Sequence, residues 1–147
     1  MAYCTRADVE ALVAELDLIN LTNDTPGAES VDEDVLDAAI ADADALIDGF
    51  VGSRYSLPLS TTPVLLTKLS ARLARFNLYN RRPGPLEEWL EKDYDRAEAL
   101  LKQISAGKVS LGLDSGGSSA EPAQDSRRAV RASSRARVFG RGALDGY

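Results

Sequence analysis

Apolar residues recur along this chain at helical spacing up to Leu113 and become sparse beyond it. Val9, Leu12, Val13 and Leu16 share one face of a helix expected from about Arg6 to Leu16, with Thr5 as its N-cap and Asp8 in its first turn. Asp17 to Leu21 then reads as a short apolar connector, and Asn23 to Gly27 as a loop by its turn chemistry. Ser30-Val31-Asp32-Glu33 reads as a capping box opening a second helix, whose core stripe is Leu36, Ile40, Ala43, Ile47 and Phe50. Gly49 and Gly52 mark its end, and Arg54 to Leu59 is expected to be extended, because the residue before Pro58 avoids the α region. Thr62 as N-cap and Pro63 as first residue open a third helix to about Asn80, with Leu66, Leu69, Leu73 and Phe76 inward. Arg82-Pro83-Gly84-Pro85 breaks it. A fourth helix starts near Pro85 or Leu86, buries Leu90, Tyr94, Ala97, Leu101 and Ile104, and stops at Gly107. Trp89 lies beside that face, as core or as contact surface. Val109 to Leu113 is expected to pack back on the bundle.

These elements predict an all-α fold: a small four-helix bundle over residues 1–113, a low-complexity linker over 114–137, and a C-terminal peptide over 138–147. The linker is rich in Ser, Gly, Ala, Pro, Gln and Arg and cannot bury enough apolar surface to offset its ordering entropy. Val138, Phe139, Leu144 and Tyr147 then return as a small apolar cluster, so the last third reads as a flexible, extended arm ending in a docking peptide. A core drawn from about 110 residues folds alone with little margin, and oligomerisation is the usual remedy.

Charge changes the picture, because it is segregated. Residues 1–60 carry 13 acids and two bases, residues 61–113 six acids and nine bases, and residues 114–147 four acids and six bases. Within the second helix Asp34, Asp37, Asp44 and Asp48 form a stripe beside the apolar one; in the third, Lys68, Arg72, Arg75 and Arg82 do the same. Complementary faces on one chain invite contact between copies of it, so these eight residues are the candidate subunit interface. The basic stripe and the arginines of the arm (Arg127, Arg128, Arg131, Arg135, Arg137 and Arg141) also admit a nucleic-acid reading, that of a small helical regulator or packaging factor. Against it, the net charge of residues 1–113 is −8.

The chemistry of catalysis is thinly supplied. Histidine is absent, which removes the commonest general base, the usual activator of Ser or Cys nucleophiles, and the commonest metal ligand. The single cysteine, Cys4, excludes an internal disulfide framework, and the chain reads as made in a reducing cytoplasm. Asp42-Ala43-Asp44 with Asp48-Gly49 lacks the spacing of a calcium loop. Gly116-Gly117 does not precede a helix and makes no phosphate loop. No apolar run is long enough to span a membrane. The expectation is a protein with no catalytic residues, no metal and no cofactor.

Several strings carry a resemblance. They are Met1-Ala2-Tyr3 with Thr5, Leu18-Ile19-Asn20-Leu21-Thr22, Ala41-Asp42-Ala43-Asp44 through Ile47-Asp48-Gly49-Phe50, Arg54-Tyr55-Ser56-Leu57-Pro58-Leu59, Pro63, Ala74-Arg75-Phe76-Asn77-Leu78-Tyr79, and Ala106-Gly107-Lys108-Val109-Ser110-Leu111-Gly112. With them, in this order over residues 1–113, the chain resembles the Mu-like phage head–tail adaptor (connector, or head completion) proteins. The resemblance implies a connector-type helical protein of the virion neck, assembled in the bacterial host cytoplasm. It further implies a dodecameric ring of copies that binds the portal protein, extends the DNA channel and offers a platform for a neck, stopper or tail-completion protein. Phage DNA would pass through a net-negative lumen without specific binding. The arm is a separate expectation, since C-terminal segments vary in the family: Val138 to Tyr147 are expected to dock on the portal or on a neighbouring subunit.

Overall fold

A computed structural model describes residues 2–113; the expected linker and docking peptide lie outside the described residues. The described chain is all-helical: α1 (Arg6–Glu10), α2 (Glu15–Thr22), α3 (Glu33–Val51), α4 (Val64–Asn80) and α5 (Glu88–Ser105). α3 and α4 form the central pair and run antiparallel, since Asn77 Nδ2 donates to the Ala39 carbonyl at 3.1 Å while Ser70 Oγ reaches Asp44 Oδ1 at 2.6 Å. α5 returns antiparallel to α4, with Phe76 stacked on Tyr94 at 4.2 Å and Tyr79 edge-on to Trp89 at 6.5 Å. The expected stripes meet here: Leu36, Ile40, Ala43 and Ile47, Leu66, Leu69 and Leu73, and Leu90, Ala97, Leu101 and Ile104 are all buried.

The expected first helix is two. Ala14 is extended (φ −63°, ψ 145°), so α1 ends at Glu10 and α2 starts afresh at Glu15, taking in the apolar connector. The break resets the helical phase. Val9 and Val13 are buried as expected, whereas Leu12 and Leu16 face solvent and Leu18, Ile19 and Leu21 take up the core positions. Four helices therefore become five.

Three caps also shift. α3 is capped by Asp32, not Ser30: Asp32 Oδ1 accepts from the Asp34 and Val35 N–H groups at 3.1 and 3.3 Å, and a carboxylate at this end also suits the helix dipole. Pro63, not Thr62, is the N-cap of α4, and α5 starts after Glu87, slightly later than the Pro85–Leu86 expectation. At α1 the expected pair is present, with the Thr5 N–H and hydroxyl donating to Asp8 Oδ2 at 2.8 and 2.7 Å.

Residues 52–60 are a run of turns and bends, not an extended segment, and the Leu57–Pro58 peptide is cis. Two side chains anchor this run in the core, Tyr55 and Leu59. The Tyr55 hydroxyl accepts the Leu111 N–H at 3.1 Å and so ties down the strip that follows α5. That strip leaves the helix through Gly107, at φ +76°, where the Lys108 N–H returns to the Gln103 carbonyl at 2.9 Å and the Gly107 N–H to Ile104 at 3.0 Å. The left-handed turn calls for glycine there; the exposed Arg54 guanidinium lies against it and is a flexible end that could move aside. Val109, Leu111 and Leu113 pack on the core as expected.

Candidate interaction surface

Both charged stripes exist, but the structure divides each of them. Asp44, near the middle of α3, is 5% exposed. Its carboxylate accepts the Tyr3 N–H at 3.1 Å and the Ser70 hydroxyl at 2.6 Å, and so fastens the N-terminal segment to the α3–α4 pair. One turn on, Asp48 accepts the Tyr3 hydroxyl. Burial, then the bond to Asp48, holds the Tyr3 phenol well above its ordinary pKa, so it remains a donor. Asp34 and Asp37 are exposed, as is Asp42, and no ion pair engages these three among the described residues.

Arg75 lies with its side chain 11% exposed, donates to Asp93 Oδ2 at 2.6 Å, and stacks on the Trp89 ring at 4.9 Å from its centroid. Arg82 reaches Asp24 at 3.0 Å and the carbonyls of Asn20 and Asn23. Arg81, outside the expected stripe, joins it by donating to the Leu21 carbonyl at 3.1 Å and to Asp24. The two arginines at the end of α4 thus clamp α2 and its following loop. Lys68 and Arg72 remain on the surface, Arg72 with one distant contact to Asp93 at 3.7 Å. Of the eight candidate interface residues, Asp34, Asp37, Lys68 and Arg72 are exposed, while Asp44, Asp48, Arg75 and Arg82 make bonds within the chain.

Sequence periodicity missed the exposure of Leu16 and Val64, and left Trp89 open between core and contact surface, where it proves exposed. Leu16 is 75% exposed, Val64 70% and Trp89 47%. Val64 carried a signal, since it lies two residues before Leu66 and so about 200° around α4 from the buried stripe. Leu16 carried none, because its exposure follows from the break at Ala14. Cys4 is buried, with its Sγ 3.1 Å from Ser70 Oγ, as a small side chain in the core. No helix among the described residues is long and apolar enough to cross a membrane. The arm residues Val138, Phe139, Leu144 and Tyr147 lie outside the described residues.

Comparison with known proteins gives this helical frame a lineage. The family model described as bacteriophage Mu, Gp36 matches residues 3–130, which takes in every helix and runs past the described fold. The chain is 31% identical over 122 residues to the Mu-like prophage FluMu protein gp36 of Haemophilus influenzae, covering 83% of this chain and 82% of that one. It is 32% identical over 115 residues to gene product J of Escherichia phage Mu, covering 78% and 79% respectively. An all-α phage protein, the chain belongs to the bacteriophage Mu Gp36 family.

Proposed function

We propose that this protein is a non-catalytic structural component of a tailed-phage virion, forming a ring at the head–tail junction that binds the portal, extends the DNA channel and receives the next neck or tail component. The observation that carries this reading is the separation of exposed charge on a chain of a phage family. Asp34, Asp37 and Asp42 on α3 are exposed and in no ion pair among the described residues, while Lys68 and Arg72 stand exposed on α4. A closed ring needs two different faces on every subunit, and a charge-segregated monomer supplies them. The exposed surface of α3 beyond Glu33, which pairs with Arg6, carries Asp34, Asp37, Ala38, Ala41, Asp42, Ala45 and Gly49, with no basic side chain of its own. Such a surface suits a channel wall, because DNA adheres where cations neutralise its phosphates.

The test uses DNA-filled, portal-bearing heads assembled without this protein. Purified chain should bind them at a single vertex, seen by electron microscopy as a ring of added density. Binding spread over the shell, or none, would overturn the reading. Retention on duplex DNA with a steep salt slope, in place of head binding, would point to the nucleic-acid regulator or packaging factor instead.

A further inference from the structure

Among the described residues, the outward face of α3 is built of short side chains. From Asp34 to Gly49, a strip of about 22 Å by the helical rise, every exposed residue is Asp, Ala or Gly. A groove lies along each side of the strip, one against Asn77 and Leu78 of α4, the other against Ala2. Asp34, Asp37 and Asp42 enter no ion pair among the described residues, and the last turn of α3 holds no base to suit the negative end of its dipole. Acids elsewhere are better matched. Glu10 and Glu33 share Arg6, Asp24 takes Arg81 and Arg82, and Glu88 and Glu98 pair with Lys92 and Lys102.

The described chain ends near one end of this strip. The Tyr55 N–H bonds to the Val51 carbonyl at 2.9 Å, at the C-terminus of α3, and the Tyr55 hydroxyl accepts the Leu111 N–H at 3.1 Å. Residues after Leu113 therefore set out from beside that C-terminus. Arg127 lies 14 positions beyond Leu113. A chain of that length can span up to about 50 Å, so the whole strip is within reach. From Arg127 to Arg141 the sequence holds six arginines and no acid, and up to Arg137 the residues between them are Ala, Ser and Val130 alone. Long cations among small residues complement, in charge and in shape, short acids among alanines. The α4 surface with Lys68 and Arg72 has the same sign as this segment and repels it.

We infer that residues 127–137 lie along the outward face of α3 of the same chain in the free protein, their arginines over Asp34, Asp37 and Asp42 and their small residues against Ala38, Ala41 and Ala45. Exposed ion pairs are individually weak, but a short tether supplies an effective concentration of about 1 mM, which lets several of them act together. The contact belongs to the free chain and stands whether or not copies form a ring. In a ring lined by α3 the segment has to leave this face, so docking would keep its cations from DNA phosphates until assembly.

The full chain carrying Cys4→Ala and Ser133→Cys, with a nitroxide on the new thiol, tests this by nuclear magnetic resonance. At about 0.1 M salt the amide signals of Ala38, Ala41, Asp42 and Ala45 should be lost to paramagnetic broadening. They should return at about 1 M salt, where screening acts within about 3 Å. Adding Asp37→Asn and Asp42→Asn should restore them without the salt, and the unchanged remainder of the spectrum reports an intact fold. Mixing isotope-labelled chain that lacks the nitroxide with unlabelled chain that bears it should leave the signals in place. No loss, loss spread evenly over the surface, or loss that survives both salt and the α3 substitutions would overturn the inference. Loss in the mixture would overturn it too, by assigning the face to another copy's segment. Binding to heads at one vertex decides the ring reading separately.

Discussion

Arg75→Glu should unfold much of this protein under conditions where Lys68→Glu leaves it intact. The two positions belong to one basic stripe in the sequence, but the structure gives them different work. Lys68 is exposed, and a surface charge change of this kind costs about 0–0.5 kcal/mol. Arg75 is enclosed between Asp93 and the Trp89 ring, and its Nε is already buried without a hydrogen-bond partner. Reversing it leaves Asp93 without its near cation and places a second carboxylate beside it. Breaking a fully buried pair in this way costs about 3–5 kcal/mol; this pair is partly buried, which sets the loss at the lower end of that range, still a large share of the stability of a small domain. Thermal unfolding followed by circular dichroism measures the difference, at about 4–8 °C per kcal/mol for a domain of this size. Equal melting temperatures for the two variants would show that the Arg75–Asp93–Trp89 arrangement contributes nothing. The same contrast warns that an oligomer lost on reversing Arg75 reports a broken bundle, not a broken subunit contact.

Asp44→Ala is expected to have the second largest effect, about 3 kcal/mol, from one buried donor left without an acceptor and a second left with a weak one. In a site 5% exposed the Tyr3 N–H loses its acceptor, and the Ser70 hydroxyl keeps only the Cys4 sulfur at 3.1 Å. Asp44→Asn keeps one oxygen acceptor and should lose less. A denaturant midpoint that falls for Ala and falls by less for Asn would establish the role. No change for Ala would remove it. By contrast Asp37→Ala, on the exposed side of the same helix, should leave the midpoint in place.

The long helices were legible because their apolar period persists over four or five turns, which local chemistry cannot disguise. Leu66, Leu69 and Leu73 are an example, as are Leu90, Ala97, Leu101 and Ile104. The division of the first helix was not legible. Ala11 and Ala14 are good helix formers, and the break between them carries no glycine or proline to announce it. At the charged stripes, periodicity identifies a shared face but not which neighbour lies across it. Asp44 is indistinguishable from Asp37 by pattern, and is buried because Tyr3 and Ser70, 41 and 26 residues away in the chain, converge on it. Arg81 escaped notice for the same reason, since its partners lie at the end of α2 and on the loop after it, whose positions only the fold determines.

The single thiol gives the molecule a built-in clock for its own opening. Cys4 lies under the N-terminal segment that Tyr3 secures to Asp44 and Asp48, and burial, with Asp44 and Asp8 adding against the contact to Ser70, pushes the thiol pKa up. Both its enclosure and its protonation keep it unreactive in the closed state. A thiol reagent should therefore label the protein only as fast as that segment lifts, and the labelling rate reads a local free energy apart from global unfolding. Asp44→Ala should quicken it even in water, before any denaturant is added.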